Sequence, residues 1–211
     1  MKKVFLVFIF STLMCTAQQT KKGIFNFKKI GFLYNNVDED SFLSADKDYT
    51  YTADIYKFQV FYDLGKWKSL DFDLIVQPQK QTIKHQLINE QFVTPDEDNY
   101  EAKRAEFTAL KSINLYGLEF GLLIEQNIFE KLNAQVTLGL GLATINKRTE
   151  RLAKGFTFVE NASVGLSYEP FKKAFIYFGG NIGHVSNLDT QQPNSGYTFA
   201  GYEIGFSYLL K

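Results

Sequence analysis

Much of the chain alternates apolar and polar residues with period two, the mark of strands whose two faces meet different surroundings. Tyr56, Phe58, Val60 and Tyr62 share one face, with Lys57, Gln59 and Asp63 on the other. Leu70, Phe72, Leu74 and Val76 repeat this against Asp71, Asp73 and Gln77. Similar faces run through Leu118 to Ile124, Val136 to Leu142 and Ala162 to Tyr168, opposed by Glu119, Gln135, Asn161 and Ser163. A first strand near Lys28–Tyr34, a seventh near Ala174–Asn187 and a last near Tyr197–Leu210 bring the expected number to eight. An even number closes without an unpaired edge, which lipid cannot satisfy. The expected fold is therefore all-β, an eight-stranded antiparallel transmembrane β-barrel with one polar, filled interior face. Gly139, Gly141, Gly165 and Gly205 fall on that inner face and make room in a narrow barrel.

The connections set a direction. Gly65–Ser69, Asn127–Leu132 and Glu169–Lys173 are short, whereas Asn35–Asp54 and Pro78–Lys111 are long and polar, with medium ones at Asn146–Lys154 and Leu188–Gly196. Outer-membrane barrels keep short turns in the periplasm, so the seventh strand is expected to run outward. Glu203, Gly205, Tyr208 and Leu210 match the spacing of a terminal signal for the barrel-assembly machinery.

At the other end of the chain, Lys2 and Lys3 precede an apolar run from Val4 to Met14 and then Cys15-Thr16-Ala17, the form of a secretory signal peptide over residues 1–17. The barrel domain then occupies 18–211. A spanning helix needs about 20 apolar residues, and this run turns polar at Gln18. The only cysteine leaves with the leader, which removes disulfides, thiolate metal sites and a cysteine nucleophile from consideration. Of the 23 basic residues, Lys2 and Lys3 also leave, so 21 face 23 acidic ones and no basic field invites nucleic acid. An aromatic content of 16% suits the girdles of a membrane barrel. His85 has no second histidine nearby and reads as a loop residue. Asp71, Asp73, Glu119 and Glu125, with Lys29 and Lys57, read as an interior salt-bridge network. No metal or nucleotide motif is present, and no cofactor is expected.

The outward face of the seventh strand runs Ile176, Phe178, Gly180, Ile182, His184, Ser186, so two polar side chains stand at its outer end where lipid is expected. Residues two apart share a face at about 6.5 to 7 Å, near enough for an imidazole to serve a serine hydroxyl as general base. Polar residues are equally normal where a strand leaves the hydrocarbon.

His184-Val185-Ser186-Asn187, followed by Pro193-Asn194-Ser195-Gly196 and a final strand, resembles the lipid A 3-O-deacylase (PagL-like) family, also described as acyloxyacyl hydrolase-like. The resemblance implies an outer-membrane serine esterase acting on lipopolysaccharide in the outer leaflet. It implies Ser186 as nucleophile, His184 as base and then acid, Asn194 as oxyanion donor, and Asn187 as the residue following the serine. Thr198 stands where the family has its catalytic Glu, and Asp189 where it commonly has Gly. Glu160 shares the outward parity of Phe158 and Ala162, and folding about Pro170–Lys173 brings it beside Ile182 or His184 as a substitute acid. Solvated near the loop, Glu160 has no such role. Asp189 is a second candidate, while Glu203 points inward. The competing expectation is a non-catalytic barrel whose long charged loops bind a partner or shield the surface.

Overall fold

A computed structural model describes residues 27–39 and 46–210. The expected signal peptide lies outside the described residues. Eight strands follow one another: β1 (Lys29–Asp38), β2 (Tyr49–Trp67), β3 (Leu70–Leu87), β4 (Lys111–Phe129), β5 (Leu132–Ile145), β6 (Gly155–Phe171), β7 (Ala174–Ser186) and β8 (Tyr197–Leu209). Each pairs antiparallel with its neighbours, and β1 closes on β8 from Lys29↔Leu209 to Asp38↔Ala200. The eight-stranded barrel read from the alternation is the observed fold.

Two-residue turns join β2 to β3, β4 to β5 and β6 to β7, all at one end. The longer connections gather at the other, the loop end. Between β3 and β4 the chain is not only loop. It holds a single 3-10 turn at Glu90–Phe92 and a short helix, α1 (Tyr100–Thr108). Strands β2 to β4 are also longer than the sequence pattern suggested. Nineteen residues of β2 span about 60 Å, or about 45 Å along the axis of a barrel tilted near 40°, against an apolar band about 25 Å tall.

The excess length has its own polarity. Toward the turn end of β2 the outward residues are Tyr56 and Phe58 and the buried ones Lys57 and Gln59, but toward the loop end Tyr49, Tyr51, Ala53 and Ile55 are buried. Strand β3 switches likewise from inward Asp73 and Gln77 to inward Ile83 and Leu87, and β4 from inward Glu119 to Ile113 and Leu115. Thr52, Lys84 and Ser112 then face out. The first pattern suits lipid outside, and the second is that of a half-buried strand in water.

The barrel interior divides accordingly. At the loop end Val37, Tyr49, Tyr51, Ile55, Ile83, Leu115, Leu152, Tyr197 and Phe199 form an apolar core. Below it lies the expected network: Lys57 donates to Glu119 at 2.8 Å, and Gln77, Gln79 and Asn161 donate to the same carboxylate. Lys28 pairs with Asp73 at 2.9 Å, and Asn35 and Tyr177 donate to Glu203. Lys29 instead lies 4.4 Å from the Phe61 ring centroid, and Asp71 pairs with Lys66 at the exposed rim. A cavity of about 30 Å³ lies among these polar side chains, room for little more than a water molecule.

His85 departs from expectation. It is no loop residue but sits fully buried near the end of β3, stacked on Tyr49 at 5.2 Å. Its Nε2 lies 2.8 Å from Glu150, which also accepts from Lys111 at 2.6 Å. The isolated histidine looked solvated because its carboxylate partner comes from a loop 65 residues away. Burial alone would raise the Glu150 pKa, but the hydrogen bonds from His85 and Lys111 outweigh it and hold the carboxyl down to about 2, from an ordinary 4.5. A depressed carboxyl stabilises the fold above its unfolded pKa and loses that contribution as pH falls through the folded value. Glu150→Gln should therefore destabilise the barrel by about 2–3 kcal/mol at neutral pH. Urea unfolding in detergent should show the difference from wild type shrinking as pH falls from 4.5 toward 2; a constant difference would place the effect elsewhere.

Candidate active site

The loop end of β7 carries His184 and Ser186 on one face, with β6 and β8 fixing what lies beside them. In register Glu160 of β6 and Thr198 of β8 flank His184, and Phe158 stands opposite Ser186. The imidazole bonds to one flank only: its Nδ1 lies 2.7 Å from the Thr198 hydroxyl. Glu160 is exposed on the other side. The substitute-acid reading thus has the expected neighbour, while the hydrogen bond goes to the residue standing at the family's Glu position.

Ser186 is less open than its outward parity suggested. It is 6% exposed, against a half-buried His184, and among the described residues no hydrogen bond joins its hydroxyl to the imidazole. The loop after β7 turns back over the strand end. Leu188 and Asp189 adopt left-handed backbone at φ 53° and 59°, which Asp tolerates and where Gly is the ordinary choice. This gives a local reason for glycine at position 189 in the family's pattern.

The loop is tied by side chains the sequence singled out. Asn194 Oδ1 accepts the Asn187 amide at 2.7 Å, and its Nδ2 donates to Asp189 at 3.2 Å. Asn187 is fully buried, donates to the Gln191 carbonyl and accepts from Thr190, so it braces the loop that carries Asn194. Asp189 contacts the Asn194 and Gln192 amides. Glu203 points inward as expected and is 1% exposed.

Gly196 completes the enclosure. Its φ is +67°, and a Cβ there would lie 2.5 Å from the Val185 carbonyl oxygen and 3.2 Å from His184 Cε1, so only glycine lets the loop press against the imidazole. Arg151 holds it in place, donating from Nε to the Gly196 carbonyl at 2.9 Å and accepting the Gly196 amide at 3.0 Å. The guanidinium also pairs with Asp46 at 2.6 Å and lies 4.9 Å from the Tyr49 ring and 5.4 Å from Tyr51. Sequence reasoning missed Arg151, since a single arginine in a polar connection carries no pattern. Among the described residues no group of three or more His, Cys, Asp or Glu side chains converges as a metal site.

The model of the family described as lipid A 3-O-deacylase (PagL) matches residues 92–207, more than half of the chain, including Glu160, His184, Ser186, Asn194 and Thr198. Among solved structures, the outer membrane enzyme PagL superposes with a TM-score of 0.51 at 11% identity, covering 86% of this chain and 99% of that one. Neisserial surface protein A (NspA) gives 0.46 at 11% identity over 90% and 100% of the two chains. The outer membrane protein AlkL gives 0.42 at 15% identity over 91% and 94%. No curated protein sequence matches the chain. The likeness to PagL at this identity speaks to the fold, and the family model speaks to lineage: this outer-membrane β-barrel belongs to the lipid A 3-O-deacylase (PagL) family.

Proposed function

We propose that the protein is a serine esterase that removes an ester-linked acyl chain from lipid A, reached laterally from the outer leaflet. Ser186 Oγ attacks the ester carbonyl carbon as His184 takes its proton. The tetrahedral intermediate collapses, the C–O bond of the ester breaks, and the imidazolium returns the proton to the leaving alkoxide. Water, deprotonated by the same imidazole, then attacks the acyl carbon; the acyl C–Oγ bond breaks, the fatty acid leaves, and the imidazolium returns its proton to Ser186 Oγ. Asn194 Nδ2 has two hydrogens, of which one serves Asp189 and the other is available to the oxyanion. Asn187 braces the loop that carries Asn194, and Glu160, exposed on the strand beside His184, supplies negative charge to the imidazolium.

The observation that carries this reading is the His184 ring, tied at Nδ1 to a neighbouring strand and set two residues before Ser186 on one face. The competing reading, a non-catalytic barrel, draws on the neutral Thr198 and on a Ser186 hydroxyl that is not bonded to the imidazole. Mass spectrometry of lipid A from cells expressing either wild type or Ser186→Ala separates the two. A species lighter by one acyl chain is expected with wild type alone. Matching profiles from folded, outer-membrane protein would favour the non-catalytic barrel.

A further inference from the structure

The catalytic carboxylate of a serine triad has two tasks, to hold the imidazole in the tautomer whose other nitrogen is the base and to stabilise the imidazolium that forms. Here the group bonded to His184 Nδ1 is a neutral hydroxyl. A threonine hydroxyl has two lone pairs and accepts an N–H as readily as it donates. It can therefore do the first task without the second.

Several observations mark Thr198 as built for that contact. Its side chain is β-branched on a strand, which restricts χ1 and with it the direction of the hydroxyl. Its backbone is held from inside the barrel by Tyr51, a buried residue of β2, two strands round the barrel from β8. The Tyr51 hydroxyl donates to the Thr198 carbonyl at 2.7 Å and lies 3.3 Å from the Thr198 amide nitrogen as acceptor. Tyr51 in turn packs against the Arg151 guanidinium that clamps Gly196 to the other edge of the imidazole. His184 is thus located by Thr198 at Nδ1 and by Gly196 beside Cε1 and Nε2, and both supports lead back to Arg151.

We infer that Thr198 is the positioning residue of the site: its hydroxyl accepts the Nδ1 proton of His184 and leaves Nε2 unprotonated to act as base. The charge task falls to Glu160 on the opposite flank, so the two duties of one family carboxylate are divided between β6 and β8. The inference rests on the esterase reading for its purpose, but not for its measurement. A Thr hydroxyl that donated to Nδ1 would put the proton on Nε2 and disable the base, so the tautomer decides the matter.

Nitrogen-15 NMR of the full barrel in detergent at mildly alkaline pH reads the tautomer directly. The chain has two histidines, told apart by comparison with His184→Ala. Wild type is expected to show His184 protonated at Nδ1. Thr198→Val should shift the ring toward the Nε2-protonated form preferred by a free imidazole side chain, while Thr198→Ser should keep the wild-type form and Glu160→Gln should leave it unchanged. On lipid A, Thr198→Val should lower kcat by about tenfold with KM unchanged, and Thr198→Ser should recover most of it. An Nε2-protonated wild type, or a Thr198→Val variant that keeps the Nδ1 proton, would overturn the inference; the wild-type spectrum decides this even if the valine variant does not fold. Identical lipid A from wild type and Ser186→Ala would instead sink the esterase reading and leave the tautomer result standing.

Discussion

Replacing His184 with alanine is expected to slow lipid A deacylation by three orders of magnitude or more, while the barrel still assembles. The side chain stands on the outer wall, half-buried and, among the described residues, hydrogen-bonded only to Thr198, so its loss opens no cavity in either interior cluster. Without the imidazole, Ser186 keeps its proton at neutral pH and attacks as a weak alcohol. On the proposed mechanism the remaining rate comes from substrate binding and from Asn194 at the oxyanion, neither of which needs the base. The base and the nucleophile act as one unit, so adding Ser186→Ala to His184→Ala should lose little more. The measurement is kcat on purified lipid A in mixed micelles, with folding followed by the shift in gel mobility on heating. A His184→Ala enzyme within tenfold of wild type would remove the imidazole from the chemistry.

The second large effect lies inside the barrel. Glu119 is 1% exposed and accepts from Lys57, Gln77, Gln79 and Asn161, at distances from 2.6 to 3.1 Å. Gly139 on β5 is what leaves room for this carboxylate, since a Cβ there would collide with its Oε1. Glu119→Ala would leave the Lys57 ammonium and three amides without their acceptor in a site closed to bulk water. Breaking one partner of a buried pair costs about 3–5 kcal/mol, and urea unfolding in lipid vesicles should show a loss of that size. The double change Lys57→Met with Glu119→Leu removes both charges together and should recover much of it. If the double variant is as unstable as Glu119→Ala, the cost resides in packing around the four donors rather than in the unpaired ammonium.

The outward stripe of Tyr56, Phe58 and Val60 and the inward Lys57 and Gln59 were legible because a strand's parity follows from counting residues, and the eight strands with it. Counting also carried across the tight β6–β7 turn, which is why Glu160 was expected near His184 and stands opposite it. It failed across the ten-residue loop from Asn187 to Gly196, because an irregular loop does not transmit register. Thr198 could be aligned to a family position but not seen to touch the ring. His85 and Arg151 were missed for a related reason: their partners Glu150 and Asp46 come from distant loops and leave no local pattern. Ser186, which parity alone left facing lipid, is buried at the strand end where that loop begins.

The reversal of polarity midway along β2, β3 and β4 also acts as a depth gauge. Sinking the barrel by one residue pair would carry Thr52, Lys84 and Ser112 toward hydrocarbon, and lifting it would present Phe58, Leu118 and Phe120 to water. Either displacement meets a restoring force around the barrel wall, so the protein floats at one level. His184 and Ser186 are covalently part of that wall and share its draught. On the proposed esterase reading, an ester linkage near the headgroups of the outer leaflet is met at constant height, and the substrate, diffusing in two dimensions, has only to arrive.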